Sequence, residues 1–441
     1  MVCVCNETHC DDIQAVGNIP NGSAVLYTSD ISGRRMKRSV VNMGPLNNNM
    51  IVRYNTSQLY QEILGFGGAF TDSFGLNLRT LSASMQELLL KQYFGPTGSE
   101  YTLGRIPMAS TDFGERIYSY DDMANDFDLS NFDLQEEDRT LKIPFIKRAL
   151  ELQNATGGLR FFATPWSAPA WMKTTGKMQG VVGGPYYVTW ANYFVKFLDA
   201  YLAEDILIWA ITVQNEPSTG ADLFWMWQTI DFIKFNLGPT LRNSSAGMDV
   251  DIIILDDQLV FLPWWTDIVL EDDYVNSVTG GIGVHCGYLP IDQGVRLGDW
   301  ERAQAYGHSI IQDLNNFVAG WMDWNLALNL EGGPTWANNF VDAPIIVNAT
   351  GGEFLKQPIY YAMAHFSKFI KPGDRRMKVD MPVVLQSQLE VLGVLAQGGM
   401  KVIVAHNKNG YAVPFAISAG PDSFVNVDAP PHSFVTILWD Q

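Results

Sequence analysis

The sequence is poor in several things, and each shortage excludes a class of function. No apolar run reaches the roughly 18 residues a membrane-spanning helix needs, so no segment is expected to cross a bilayer. Basic residues are outnumbered: 29 Lys and Arg face 47 Asp and Glu, a formal net charge of −18 with a pI near 4.7. Nucleic acid, whose phosphates demand clustered cations, is therefore excluded as a partner. The acidity fits an acidic working compartment and fits plain solubility as well. Histidine is rare, with six in the chain, and no second one stands near His285 at ligand spacing, so no metal is expected there. There is no nucleophile elbow, Walker loop or dinucleotide fingerprint, and no cofactor is expected. Cysteine is limited to Cys3, Cys5, Cys10 and Cys286, and no C-x-x-C pair completes a zinc site. The three N-terminal cysteines read as a disulfide knot, which implies an oxidising compartment. N-x-[ST] sequons at Asn6, Asn21, Asn55, Asn154, Asn243 and Asn348 point the same way. No signal peptide precedes Val2, so the sequence is expected to begin inside a mature chain.

What is present is the patterning of a large α/β protein. Hydrophobic residues make up 47% of the 441 and charged residues 17%. Residues 1–60 are short β-like pieces (Ala24–Thr28, Met50–Tyr54), and residues 381–441 are β-like too, with a hairpin expected around Asn409-Gly410. The two ends are expected to share a small sheet. Between them, β-branched runs alternate with helical periods, the pattern of βα units on a parallel sheet. Strands are expected at Glu62–Gly65, Tyr101–Pro107, Leu159–Thr164, Leu207–Val213, Asp249–Leu255, Gly280–His285 and Phe317–Trp324. Helices are expected over Phe74–Phe94 and Trp190–Leu202, each with an aromatic or apolar stripe at 3–4 spacing. "GFGGAF" (Gly65–Phe70) reads as a tight turn. The expected fold is a (β/α)₈ TIM barrel over 61–372, flanked by an N-terminal knot and strands over 1–60 and a C-terminal β domain over 373–441. Seven strands are found where eight are needed. One βα unit is missing near residues 286–296, where the span to the next helix is too short for a crossover.

In such a barrel the chemistry sits at the C-terminal strand ends. "LIWAITVQNEP" ends in Asn215-Glu216, and Pro217 keeps Glu216 out of the helical region. A carboxyl among apolar neighbours there suits a general acid; a helix-capping loop Glu is the plainer explanation. "GRIPMASTDFG" ends in Asp112, able to accept from two sugar hydroxyls or to form an Asx-turn. "FFATPWSAPAW" supplies Trp166 and Trp171, and "GWMDWNLALN" supplies Trp321 and Trp324. Packing explains any one indole, but four at two strand ends point to a carbohydrate cleft. His285 ends "GGIGVH" and is expected to hydrogen-bond in that cleft.

With these residues assembled, the chain resembles the glucosylceramidase (acid β-glucosidase) family, lysosomal retaining glycosidases of the Asn-Glu-Pro clan. The resemblance covers nearly the whole chain on long blocks, among them "GFGGAFTDSFGLN", "RIPMASTDF", "LKIPFIKRALEL", "WANYFVKFLDAY", "QNEPSTG" and "GWMDWNLALNLEGGPTWANNFVD". It implies that Glu216 is the acid/base and Asn215 the amide holding the sugar 2-hydroxyl. It places Asp112, Trp166, His285, Trp324 and Asn339 in the glucose-binding set. It implies a barrel with a β-sandwich-like domain built from both chain ends, and no metal. It also implies glucosylceramide as substrate at a membrane surface with anionic lipid, a saposin-type activator protein, and a lysosomal or secreted location. "ADLFWMWQTI" (Ala221–Ile230) is the expected apolar rim. Three departures accompany it. The family's nucleophile, a Glu in a Ser-Glu-Ala-Cys block ending the seventh strand, has no counterpart here. The stretch after "NEPSTG" is shorter. Cys5 and Cys10 match one family disulfide, whereas Cys3 matches a cysteine whose partner would lie before Met1. A retaining mechanism needs a second carboxylate about 5–5.5 Å from the first. Of the acids near the short join, Asp292, Asp299 and Glu301, none ends an apolar strand. A non-hydrolytic glycolipid- or protein-binding homologue, or a hydrolase of another β-linked glycan, are the alternatives.

Overall fold

Strands with two apolar faces need cover on both sides, and a parallel sheet wrapped by helices supplies it. The computed structural model describes residues 2–47, 50–153, 158–174, 177–218, 226–285 and 294–440. Its parallel strands are β1 (Gly65–Ala69), β2 (Leu103–Met108), β3 (Arg160–Pro165), β4 (Ile208–Thr212), β5 (Asp251–Gln258), β6 (Thr279–His285) and β7 (Gly320–Asn325). They pair in the order β6-β5-β4-β3-β2-β1-β7. All six pairings are parallel. β6 and β7 are the two edges, and among the described residues no strand bridges them. That opening coincides with the unit the sequence is short of.

The first barrel strand differs from expectation. It is the glycine-rich stretch itself, Gly65–Ala69, and Ile51–Glu62 is a long strand that pairs with Arg375–Asp380 outside the barrel. The glycines serve close approach here: a Cβ on Gly67 would stand 1.9 Å from the Leu103 carbonyl oxygen of β2. The expected helix Phe74–Phe94 is two helices, Asp72–Arg79 and Ala83–Phe94, because Thr80 ends the first and Ser82 accepts from the Met85 amide to cap the second. The helix Pro185–Leu202 buries Trp190, Phe194, Phe197 and Tyr201, as its stripe requires.

A nine-stranded sheet takes strands from both chain ends, Ser23–Asp30, Lys37–Asn42 and Ile51–Glu62 joining the strands after Arg375. The expected hairpin at Asn409-Gly410 does not form. Lys401–Asn407 pairs with Leu389–Leu395 and Ser433–Trp439, while Val413–Gly420 pairs with Ser423–Ala429 and Ile51–Glu62. Asn409 is tied away instead, donating to Asn407 Oδ1 and to the Gln388 carbonyl. Cys5 and Cys10 are bridged, with S–S 2.06 Å, and Cys3 is a buried free thiol. The helices Trp300–Asn315 and Pro358–Ser367 lie between barrel and sheet and belong to the same core as Phe434 and Leu438. The sequon at Asn154, Ala221–Trp225 of the expected rim, Cys286 and Asp292 lie outside the described residues.

Candidate active site

The parallel order brings the strand ends to one mouth, and a cavity of about 1100 Å³ opens there. Asp112, Trp166, Asn215, Glu216, His285, Trp324 and Asn339 all line it. The sequence therefore identified seven side chains that share one cleft, drawn from five βα connections and strand ends.

Glu216 follows β4 and is held in the left-handed region at φ 44. Its amide donates to the Asp256 carbonyl (2.9 Å), and the Asn215 amide donates to the Pro165 carbonyl (2.9 Å). The Asn-Glu-Pro turn is thus pinned to the ends of β5 and β3. Leu255 and Asp256 share the left-handed conformation, at φ 69 and φ 50. Backbone strain of this kind persists where neighbours over-determine it, which is common at functional sites. Gln258 Nε2 donates to Glu216 Oε1 (3.1 Å), and His285 Nδ1 meets the same oxygen at 2.9 Å.

Behind Glu216 stands a buried charge assembly. His285 Nε2 lies 2.9 Å from Asp256 Oδ1, and Arg105 Nη2 donates to Asp256 Oδ2 at 2.9 Å. Burial pushes the Asp256 carboxyl up, but Arg105 and His285 outweigh it and hold it down at about 2. Burial pushes the His285 ring down, but Asp256 and Glu216 outweigh it and hold it up at about 9. Arg105 also donates to Asn215 Oδ1 at 2.9 Å. That contact fixes which way the amide faces, with its oxygen toward Arg105.

The wall next to this assembly is aromatic. Trp166 and Trp324 stack with centroids 5.1 Å apart, and the Arg105 guanidinium lies over both rings at 4.8 and 5.6 Å. Trp171 is elsewhere: its indole donates to the Asp121 carbonyl and packs on Phe127 and Tyr186. Trp321 is buried and its indole donates to Asp313, yet it too lines the cavity. On the remaining side Asn339 Nδ2 donates to Asp112 Oδ2 (3.0 Å), and burial raises the Asp112 carboxyl above its ordinary value.

Arg105, Asp256 and Gln258 line the cleft and escaped the sequence reading. Asp256 and Gln258 follow directly on the apolar run "DIIIL", so the strand-end rule applied at the fifth strand would have found them. Arg105 sits inside a strand, where that rule does not look. Asp299, one of the acids near the short join, caps the helix Trp300–Asn315. Far from the cleft, Cys3, His9 and Asp11 bring ligand atoms within 4.8 Å of one another. Asp11 there is paired with Arg35 and influenced by Lys356, which opposes a cation.

The model of the glycosyl hydrolase family 30 TIM-barrel domain matches residues 63–290 and 286–370, and that of the family 30 beta sandwich domain matches 375–437. A Caenorhabditis elegans relative bearing a glucosylceramidase name is 42% identical over 488 residues, covering 100% of this chain and 93% of the relative. The lysosomal acid glucosylceramidase of Mus musculus is 40% identical over 487 residues, with 100% and 93% covered. Both alignments exceed the chain's 441 residues, so each relative carries residues with no counterpart here. Among solved structures, SrfJ from Salmonella typhimurium superposes with TM-score 0.86 at 26% identity, covering 95% of this chain and 100% of that one.

Proposed function

The chain belongs to glycosyl hydrolase family 30, close to its glucosylceramidases, and on that premise we propose that its cleft takes the β-glucosyl group of glucosylceramide with Glu216 as acid and base. The observation that carries the reading is the juxtaposition of Glu216, held by His285 and Gln258, with the stacked Trp166–Trp324 wall in one cavity. The indole faces suit the C–H face of a sugar ring, and Asp112, Asn339 and Asn215 suit its hydroxyls. Glu216 gives its proton to the glycosidic oxygen and later takes one from water.

The lipid assignment has its own support. Immediately after Gln258 the chain exposes Leu259 (54%), Val260 (74%) and Trp264 (43%). An apolar rim beginning next to the acid/base suits a substrate whose aglycone is hydrocarbon. A membrane surface with anionic lipid, a saposin-type activator and a lysosomal setting belong to the same proposal.

The resemblance sets the nucleophile in a block this sequence lacks. The expected behaviour is binding of β-glucosides with little release of 4-nitrophenol from its β-glucoside. Rapid release that vanishes in Glu216→Gln would place a second carboxylate in this chain. Substrate class is tested by displacement of a bound glucose-shaped iminosugar. Glucosylceramide in mixed micelles is expected to displace it, and β-1,6-glucan or xylan is not; preferential displacement by a polysaccharide overturns the lipid assignment.

A further inference from the structure

His285 was expected against the substrate, yet both of its ring nitrogens are engaged within the protein. Nδ1 meets Glu216 Oε1 and Nε2 meets Asp256 Oδ1, each at 2.9 Å. A ring between two acceptors satisfies both in two ways. It is an imidazolium facing an ionised Glu216, or a neutral ring donating from Nε2 while Glu216 carries the other proton. The two states hold the same number of protons and differ by one transfer along one hydrogen bond. Asp256 is ionised in both, since Arg105 Nη2 secures its second oxygen and neither side chain is more than 9% exposed.

We propose that Asp256 is a positioning residue that acts through His285 to load Glu216 with its proton and to receive that proton back. The proposal rests on the reading of Glu216 as acid/base. A proton that Glu216 gives to the glycosidic oxygen of a bound glucoside is replaced from His285 Nδ1 along their shared hydrogen bond, and the ring is left neutral with its remaining N–H held on Nε2 by Asp256. The proton that Glu216 next takes from water returns along the same hydrogen bond to Nδ1, and the ring is restored. Among the described residues, the charged groups facing the ring are Asp256, Glu216 and Arg105, and Asp112 acts on Glu216 through space. The raised basicity of the ring and the depressed acidity range of Asp256 agree with this arrangement.

The test uses the full chain with ¹⁵N-labelled histidine, the His285 signals being assigned by their loss in His285→Gln. The wild-type ring is expected to stay doubly protonated through neutral pH. Asp256→Asn is expected to lower its titration by about 1–3 pH units, the usual effect of losing a close opposite charge. A second readout is the affinity of a basic, glucose-shaped iminosugar against pH. Its acid-side midpoint is expected to rise in Asp256→Asn, with affinity in mild alkali nearly unchanged. His285→Gln keeps a donor to Glu216 without a transferable proton and is expected to give the same shift, which covers a poorly folding Asp256→Asn. A wild-type ring titrating near its ordinary 6.5, or an equal loss of affinity at every pH, overturns the proposal. If the ring titrates as expected but no iminosugar binds, the glucoside reading fails and the Asp256–His285 device stands.

Discussion

At Glu216, the proposed acid and base, two demands meet: a carboxyl facing the cleft, and a buried cationic support that fixes where it points. Arg105, Asp256 and His285 supply the support through a chain of 2.9 Å contacts, and their ionisation links the site to stability. Asp256 is held at about 2, below its ordinary 3.8, so its contribution is present above 3.8 and lost as pH falls through about 2. His285 is held at about 9, above its ordinary 6.5, so its contribution is complete below 6.5 and lost as pH rises through about 9. The pair therefore stabilises most between 3.8 and 6.5. Thermal melts across pH are expected to show Asp256→Asn least stable relative to wild type in that window, with the deficit shrinking above about pH 9. A deficit that does not vary with pH would show that the charges are not the cause. Glu216 itself was legible because an apolar strand runs into Asn-Glu-Pro. Of its supports, His285 was legible as a strand end and Asp256 is one too, whereas Arg105, acting from inside a strand, carries no signal distinguishing it from core.

Among the elements, Lys142 shows how the βα connections are locked behind the cleft. It is fully buried, 3.2 Å from Asp72 of the helix Asp72–Arg79 and 3.3 Å from Asp138, and it donates to Tyr118 Oη at 3.0 Å. Burial opposes its charge, but Asp138 and Asp72 outweigh burial and raise its pKa. Lys142→Met leaves two buried carboxylates without their cation, and such a loss costs about 3–5 kcal/mol. Urea unfolding is expected to show it; a change within error would mean that the carboxylates are protonated and need no partner. The strand count and the short join were legible from periodicity and spacing, and among the described residues no strand joins the two edges of the parallel sheet at the corresponding place. The glycine-rich β1 was misread because glycine favours turns locally, whereas here it is selected by the approach of Leu103, a contact 36 residues or more away in sequence. The Asn409-Gly410 turn failed for a similar reason, its flanking strands finding better partners elsewhere in the sheet.

At the scale of the whole molecule, barrel and sheet share one core. Phe434 of the sheet packs on Trp300 and on the stacked ring of His406, and a Cβ on Gly307 would come within 2.1 Å of it. His365 is buried between Ser29 and Thr436, and burial pushes it down to about 3. A shared core of this kind predisposes the chain to unfold as a unit. Calorimetry is expected to give one transition, lowered as a whole by Gly307→Ala; two separable transitions would show independent domains. A sugar site carried on such a scaffold is preorganised rather than assembled on binding. The most direct test is calorimetric titration of wild type and Glu216→Gln with a glucose-shaped iminosugar at mildly acidic pH. Wild type is expected to bind one equivalent, and Glu216→Gln, equally folded, to bind about 10- to 100-fold more weakly for want of a charge-assisted hydrogen bond. No binding by wild type, or equal binding by both, would contradict a β-glucoside cleft centred on Glu216.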